Sequence, residues 1–181
     1  MLSPKKNSVL LLCLLLVCCQ KVDTTVEPND TDPTGNPEET VTGTGEGTRQ
    51  RPYTVTDIRS LSLPDGDPVW VIGYMVGTAH ASMNNAVFSI NATNQSNILI
   101  SFDSLCTDTA RCIPVELASA KNRKDFSLPT NTALFRKCLI LKGIPRRYLY
   151  RKGLRNVSAG LWMDDFDLSS VVPQEWGKII L

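Results

Sequence analysis

Apolar residues are spread along this chain in three regimes. Val9 to Val17, VLLLCLLLV, is a continuous apolar block behind Lys5 and Lys6. From Lys21 to Pro52 valine is the only apolar residue type, scattered among eight Thr, four Pro and four Gly. From Tyr53 onward, short apolar runs alternate with polar turns. Thr54-Val55-Thr56-Asp57 has the form of a helix start, with Thr54 as cap and Asp57 three residues on, so a short helix is expected through Leu61. The cluster Pro64-Asp65-Gly66-Asp67-Pro68 reads as a turn. Val69 to Val76, VWVIGYMV, is β-branched, aromatic and apolar on both faces, which predicts a strand buried on both sides. Gly73 in its middle predicts a bulge or bend. Further strands are expected at Ala86–Ile90, Ile98–Phe102, Cys112–Leu117, Phe135–Ile144, Tyr148–Tyr150 and Val157–Met163. The fold class that follows is mainly β: a small, strongly bent sheet or barrel of about five to six strands with one or two short helices.

With 181 residues, 42% apolar and 20% charged, the chain has room for one packed domain plus tails. The balance of 19 basic against 18 acidic residues argues against a generally basic nucleic-acid coat. The apolar block near the N-terminus is too short to span a bilayer but suits the h-region of a signal peptide. Leu16-Val17-Cys18-Cys19 then reads as a lipobox, with Cys19 as the acylated residue and Cys18 as the alternative register. A thioether-linked diacylglyceryl group at that thiol would anchor the chain, each buried methylene contributing about 0.8 kcal/mol. The polar, acidic stretch that follows cannot bury enough apolar surface to order itself. The expected organisation is a lipoprotein signal peptide over 1–18, a lipid-anchored disordered linker over 19–52, and a folded domain over 53–181. Gly43-x-Gly45-x-Gly47 lacks the Lys-Ser/Thr ending of a phosphate loop and reads as linker.

Several segments together resemble a known series. They are Pro52-Tyr53-Thr54-Val55, Val69 to Gly77 (VWVIGYMVG), Asn97-Ile98-Leu99-Ile100, Lys142-Gly143, and Tyr148 to Asn156 (YLYRKGLRN). In this combination the chain resembles an uncharacterised family of OB-fold-like domains in Bacteroidetes lipoproteins, over Pro52 to about Trp162. The resemblance implies a compact five-stranded OB-like barrel and an outer-membrane lipoprotein of the cell envelope, periplasmic or surface-exposed. It implies no activity. Ile72 stands where the family has Lys, and Lys152 where Pro is common before Gly153.

Charge is unevenly placed: from Arg111 to Arg155 twelve Lys/Arg face only Glu116 and Asp125. Within that stretch Arg146, Tyr148, Tyr150, Arg151 and Lys152 are the candidate ligand-binding residues. In an extended segment Arg146, Tyr148 and Tyr150 would share a face, offering a cation beside two rings. Such a surface suits a single-stranded nucleic acid or an anionic glycan; the bland reading is two packed rings and solvated charges.

Catalytic signatures do not appear. His80, the single histidine, sits in the loop-like segment TAHASMNN without an orienting acid. Asp164, Asp165 and Asp167 do not follow the alternating calcium-loop spacing and read as surface charge. Cys106 and Cys112 flank a short loop and are candidates for a disulfide in an oxidising envelope; Cys138 reads as a buried small hydrophobe. No metal site and no small-molecule cofactor is expected. The function expected is a non-enzymatic, lipid-anchored envelope protein with an OB-like binding or interaction module. Its partners would be the membrane through the N-terminal lipid and an envelope protein, glycan or oligonucleotide. Alternatives are a nucleic-acid or anionic-glycan binder specifically, a structural subunit of a surface assembly, or a hydrolase accessory.

Overall fold

A computed structural model describes residues 45–62 and 66–163 of the chain. Cys18, Cys19, most of the linker, part of the Pro64–Pro68 turn and the Asp164, Asp165, Asp167 cluster lie outside them. In chain order the elements are β1 (Tyr53–Thr54), α1 (Val55–Ser60), β2 (Val69–His80), β3 (Ser82–Val87), β4 (Asn97–Ser101), β5 (Cys112–Glu116), α2 (Ala120–Phe126), β6 (Cys138–Tyr148) and β7 (Arg151–Met163). The sheet runs β2–β4–β5–β7–β6 and closes because β6 also pairs with β2, so five strands form a barrel; β1 and β3 are added to β2. Within the barrel every pairing is antiparallel except β5 with β7.

The period-2 alternation of the strands sorts apolar side chains into two layers. Val71, Met75, Ile98, Ile100, Ile113, Val115, Leu139, Leu141 and Leu154 fill the interior. Their neighbours Ile72, Tyr74, Leu99, Cys112, Cys138 and Ile140 form a second cluster with Met83 of β3 and Cys106, against which Phe88, Phe102 and Leu149 also pack. This second layer explains why Val69–Val76 is apolar on both faces: each face has its own cover. The bulge expected at Gly73 lies elsewhere. The register between β2 and β4 shifts between Met75 and Gly77, whereas Gly73 is a point of close approach. A Cβ there would stand 2.9 Å from Val55 and 3.0 Å from the Ser101 carbonyl oxygen.

α1 follows from its first four residues. Thr54 Oγ1 accepts from the Asp57 N–H at 3.1 Å, while the Asp57 carboxylate accepts from the Thr54 N–H at 2.8 Å. This reciprocal box fixes the helix entry and turns Val55 and Ile58 into the core. α2 is a second short helix, whose place the apolar pattern does not mark. Ser119 caps it, accepting from the Asn122 N–H at 3.0 Å, but among its side chains only Phe126 and Asn122 are buried. One ring in seven residues leaves little periodicity to read.

Four other expectations change. Phe135–Lys137 lies before β6, where Arg136 has φ +64°, so β6 starts at Cys138. Tyr148–Tyr150 is not a strand of its own: Tyr148 ends β6, Leu149 and Tyr150 form the turn to β7, and β7 starts six residues before Val157. His80 ends β2 instead of lying in a loop. Finally, the packed structure reaches back to Gly45, inside the stretch assigned by composition to the linker. The Glu46 N–H donates to the Arg51 carbonyl at 2.8 Å, and the Gly47 carbonyl accepts from the Trp70 N–H at the same distance. Backbone bonds of this kind need no apolar side chains, so composition does not report them.

Candidate functional site

The site begins with a turn. β6 and β7 pair in register up to Tyr148 opposite Arg151, leaving Leu149 and Tyr150 as the two-residue loop. Both have positive φ, +47° and +65°, as the hairpin turn that matches strand twist requires. Asn-Gly is the ordinary occupant of such a turn; Leu-Tyr costs backbone energy there. Leu149 turns into the outer apolar cluster and Tyr150 stands 76% exposed.

The strand pairing then sets the cations. Arg147 lies directly opposite Lys152, and Arg146 opposite Gly153. Like charges facing each other across a ladder are unfavourable. No carboxylate within the described residues neutralises Arg146, Arg147 or Arg151. Lys152 Nζ donates to the Leu61 carbonyl at 2.9 Å, which ties the hairpin to the end of α1. α1 contributes Arg59, exposed because Ile58 beside it is committed to the core.

Together these groups line a cleft of about 570 Å³ whose walls are Arg59, Ala110, Cys112, Arg147, Tyr150, Arg151 and Lys152. A second depression of about 260 Å³ shares Arg147 and Lys152 and adds Ile58, Leu61, Ser62, Pro145, Arg146 and Gly153. Neither lining contains an acidic residue. Gly153 is needed here: a Cβ would stand 2.3 Å from the Pro114 carbonyl oxygen of β5, so any side chain would push the hairpin off the parallel seam.

Several other cations of the basic run are engaged elsewhere. Arg155 forks onto Glu116, with Nε and Nη2 donating at 2.9 and 2.8 Å; this bond from the Arg155 side chain holds the Glu116 carboxyl below its usual range. The same guanidinium lies 5.7 Å from the centre of the Tyr148 ring. Arg111 pairs with Asp103 at 3.7 Å, Lys121 pairs with Asp125, and Arg123 donates to the carbonyls of Leu117 and Ala118. A run that reads as uniform charge in sequence is thus divided in space: Arg111, Lys121 and Arg155 have carboxylate partners, while Arg146, Arg147 and Arg151, gathered at the hairpin, have none among the described residues.

Of the five residues singled out in sequence, Tyr150, Arg151 and Lys152 meet in the larger cleft, and Arg146 joins through the smaller one. Tyr148 does not share an open face with Tyr150, because the chain turns between them and Arg155 covers its ring. Arg59 and Arg147 were missed. Arg147 was legible as a member of the same run; Arg59 is remote in sequence, and only the phase of α1 around Val55 and Ile58 points to it.

The sulfur atoms of Cys106 and Cys112 stand 3.8 Å apart, both as free thiols, and both reach the Asp108 carbonyl, at 3.5 and 3.2 Å. A hydrogen bond from Cys112 draws Cys106 down to about 6, and the same bond together with burial drives Cys112 upward. Cys138 is pushed up to about 12 by burial. His80 is exposed at the strand end, its carbonyl accepting from Asn85 Nδ2 at 3.0 Å. Among the described residues no group of three or more His, Cys, Asp or Glu is placed to hold a metal ion, and no helix is long and apolar enough to cross a membrane.

The profile of a domain of unknown function, DUF6359, matches residues 53–163, well over half of the chain. Neither a curated protein nor a solved structure matches it.

Proposed function

The chain belongs to the DUF6359 family, and from that premise and the cleft geometry we propose that it is a non-enzymatic binding module for an anionic polymer, held at a cell envelope by an acylated cysteine. The observation that carries the reading is the set of cations Arg59, Arg147, Arg151 and Lys152 around one cleft, with no carboxylate in its wall. Cations placed opposite one another without neutralisation are unfavourable for the fold alone, so their balance is to be sought in a bound anion.

Strand order supports an OB-like assignment. Five strands close into a barrel, the third and fifth of them run parallel, and α2 lies between the third and fourth. In OB-folds the loop between the fourth and fifth strands is one of the ligand-contacting loops, and here it is the β6–β7 hairpin. For the address, the support is the sequence Leu16-Val17-Cys18-Cys19 behind the apolar block, with Cys19 as acceptor and Cys18 as the alternative register. If the residues between Cys19 and Gly45 act as a flexible tether, they would give the barrel a reach of roughly 25–30 Å from the membrane.

The test is binding of the full chain to anionic polymers at low salt, followed by fluorescence anisotropy. Affinity should fall steeply with added salt as counterions are released, and the bound polymer should be recovered uncleaved. Absence of binding to every polyanion at low salt refutes the reading. Mass spectrometry of the N-terminal peptide tests the anchor separately: an unmodified cysteine refutes it.

A further inference from the structure

Resting on that reading of the hairpin cleft, we infer that the polymer is an acidic polysaccharide, and that it lies along a track holding more than two of its charged sugars. Two features of the surface lead there. The first is continuity. Arg147 and Lys152 line both depressions, so they form the divide between a larger pocket holding Arg59, Arg151 and Tyr150 and a smaller one holding Arg146. An anion bound in either depression therefore touches the same pair, and a chain crossing the divide meets cations before, at and after it. A single small anion would use only one part of this arrangement.

The second feature is the ratio of rings to cations. Single-stranded nucleic acids are held by stacking successive bases on successive aromatic side chains, with charges following the backbone. The track offers five cations and one open ring, Tyr150; Tyr148 lies under Arg155. One ring gives a pyranose face a single CH–π platform, while the forked guanidinium groups of Arg59, Arg146, Arg147 and Arg151 match carboxylate or phosphate oxygens two at a time. Pro145, Leu61 and Gly153 supply a low apolar floor in the smaller depression, suited to the unsubstituted edge of a sugar. A polymer whose charge recurs on each sugar and whose rings need little stacking fits this surface better than one that needs every base held.

The experiment measures binding of the full chain to digalacturonate, hexagalacturonate and a deoxythymidine hexamer at one low salt concentration. Hexagalacturonate is expected to bind about tenfold or more tighter than digalacturonate and than the oligonucleotide, since each added charge-assisted contact is worth roughly that factor. The double variant Arg147→Ala/Lys152→Ala should lose about tenfold or more toward hexagalacturonate per folded molecule while its far-UV circular dichroism stays that of the parent. Arg146→Ala should weaken the hexamer and leave digalacturonate nearly unaffected. Equal or tighter binding of the oligonucleotide overturns the polysaccharide inference while leaving polyanion binding intact. Equal affinity for the two galacturonates overturns the track. No binding of any of the three at low salt overturns the polyanion reading itself.

Discussion

Two turns of this barrel solve the same backbone problem with opposite use of their side chains. The β2–β3 turn places Ala81 at φ +59° and shifts the register between Ala79 and His80. Polar side chains nearby are spent on the backbone it frees. Asn97, 1% exposed, accepts from the Ala79 N–H at 2.9 Å and donates to the Ala79 carbonyl at 2.8 Å; Asn94 donates to the same oxygen. The β6–β7 turn is likewise left-handed at Leu149 and Tyr150, yet the side chains of Arg146, Arg147 and Arg151 beside it meet no carboxylate among the described residues. Where side chains close their own hydrogen bonds, the turn is part of the architecture. Where charged side chains remain open around a cleft, the turn is a site. The contrast is more informative than the strain, which the two turns share.

The largest effect should come from the architectural turn. Asn97→Ala leaves the buried Ala79 N–H without its partner and is expected to cost about 2–3 kcal/mol in urea denaturation, with polyanion affinity per folded molecule unchanged. A stability loss under about 0.5 kcal/mol would erase the distinction drawn here. Arg59→Ala should do the reverse: a roughly tenfold weaker Kd for a polyanion and stability within about 0.5 kcal/mol of the parent. Tyr150→Gly should separate the two properties in one residue. Relief of the left-handed backbone raises stability by about 1 kcal/mol, while loss of the ring raises the Kd severalfold. A destabilised Tyr150→Gly protein would show that the ring packs rather than binds.

The smallest effect concerns the parallel seam between β5 and β7, where the one paired position is Val115 with Leu154 and the Arg155–Glu116 fork bridges the two strands. The Glu116 carboxyl titrates lower in the folded protein than its usual 4.5. Its contribution is therefore present above that value and is lost as pH falls through the folded-state value. Glu116→Gln should lower stability at neutral pH by up to about 1 kcal/mol, given the exposure of Arg155. The gap between parent and variant should narrow in acid. A gap that stays constant from neutral to strongly acidic pH would remove the fork from the account.

Much of the barrel was legible because its causes are local. The Thr54–Asp57 box set α1, and short apolar runs bounded by polar turns set the cores of β2, β4 and β5. Doubly apolar β2 announced two covered faces before their covers were known. Illegible features had causes elsewhere in the chain. Gly73 reads as a bulge from its neighbours, but it is glycine because Val55 and Ser101 come within contact distance. β6 and β7 read too short at their hairpin ends because Arg146, Arg147, Arg151 and Lys152 are polar, and polar residues at a hairpin tip carry no alternation.

For the site, local order supplied the ingredients: a basic run, two tyrosines and a glycine at Gly153. Pairing decided which of them matter. Register placed Arg147 against Lys152 and put the turn between Tyr148 and Tyr150; the Glu116 fork withdrew Arg155, and Tyr148 with it. Packing of Ile58 delivered Arg59 from the far side of the sequence. Composition and short-range pattern determine which segments can bury themselves, since that depends on neighbours a few residues away. Which charges remain without a counterpart is settled only when distant strands meet, because neutralisation is a property of distance in space.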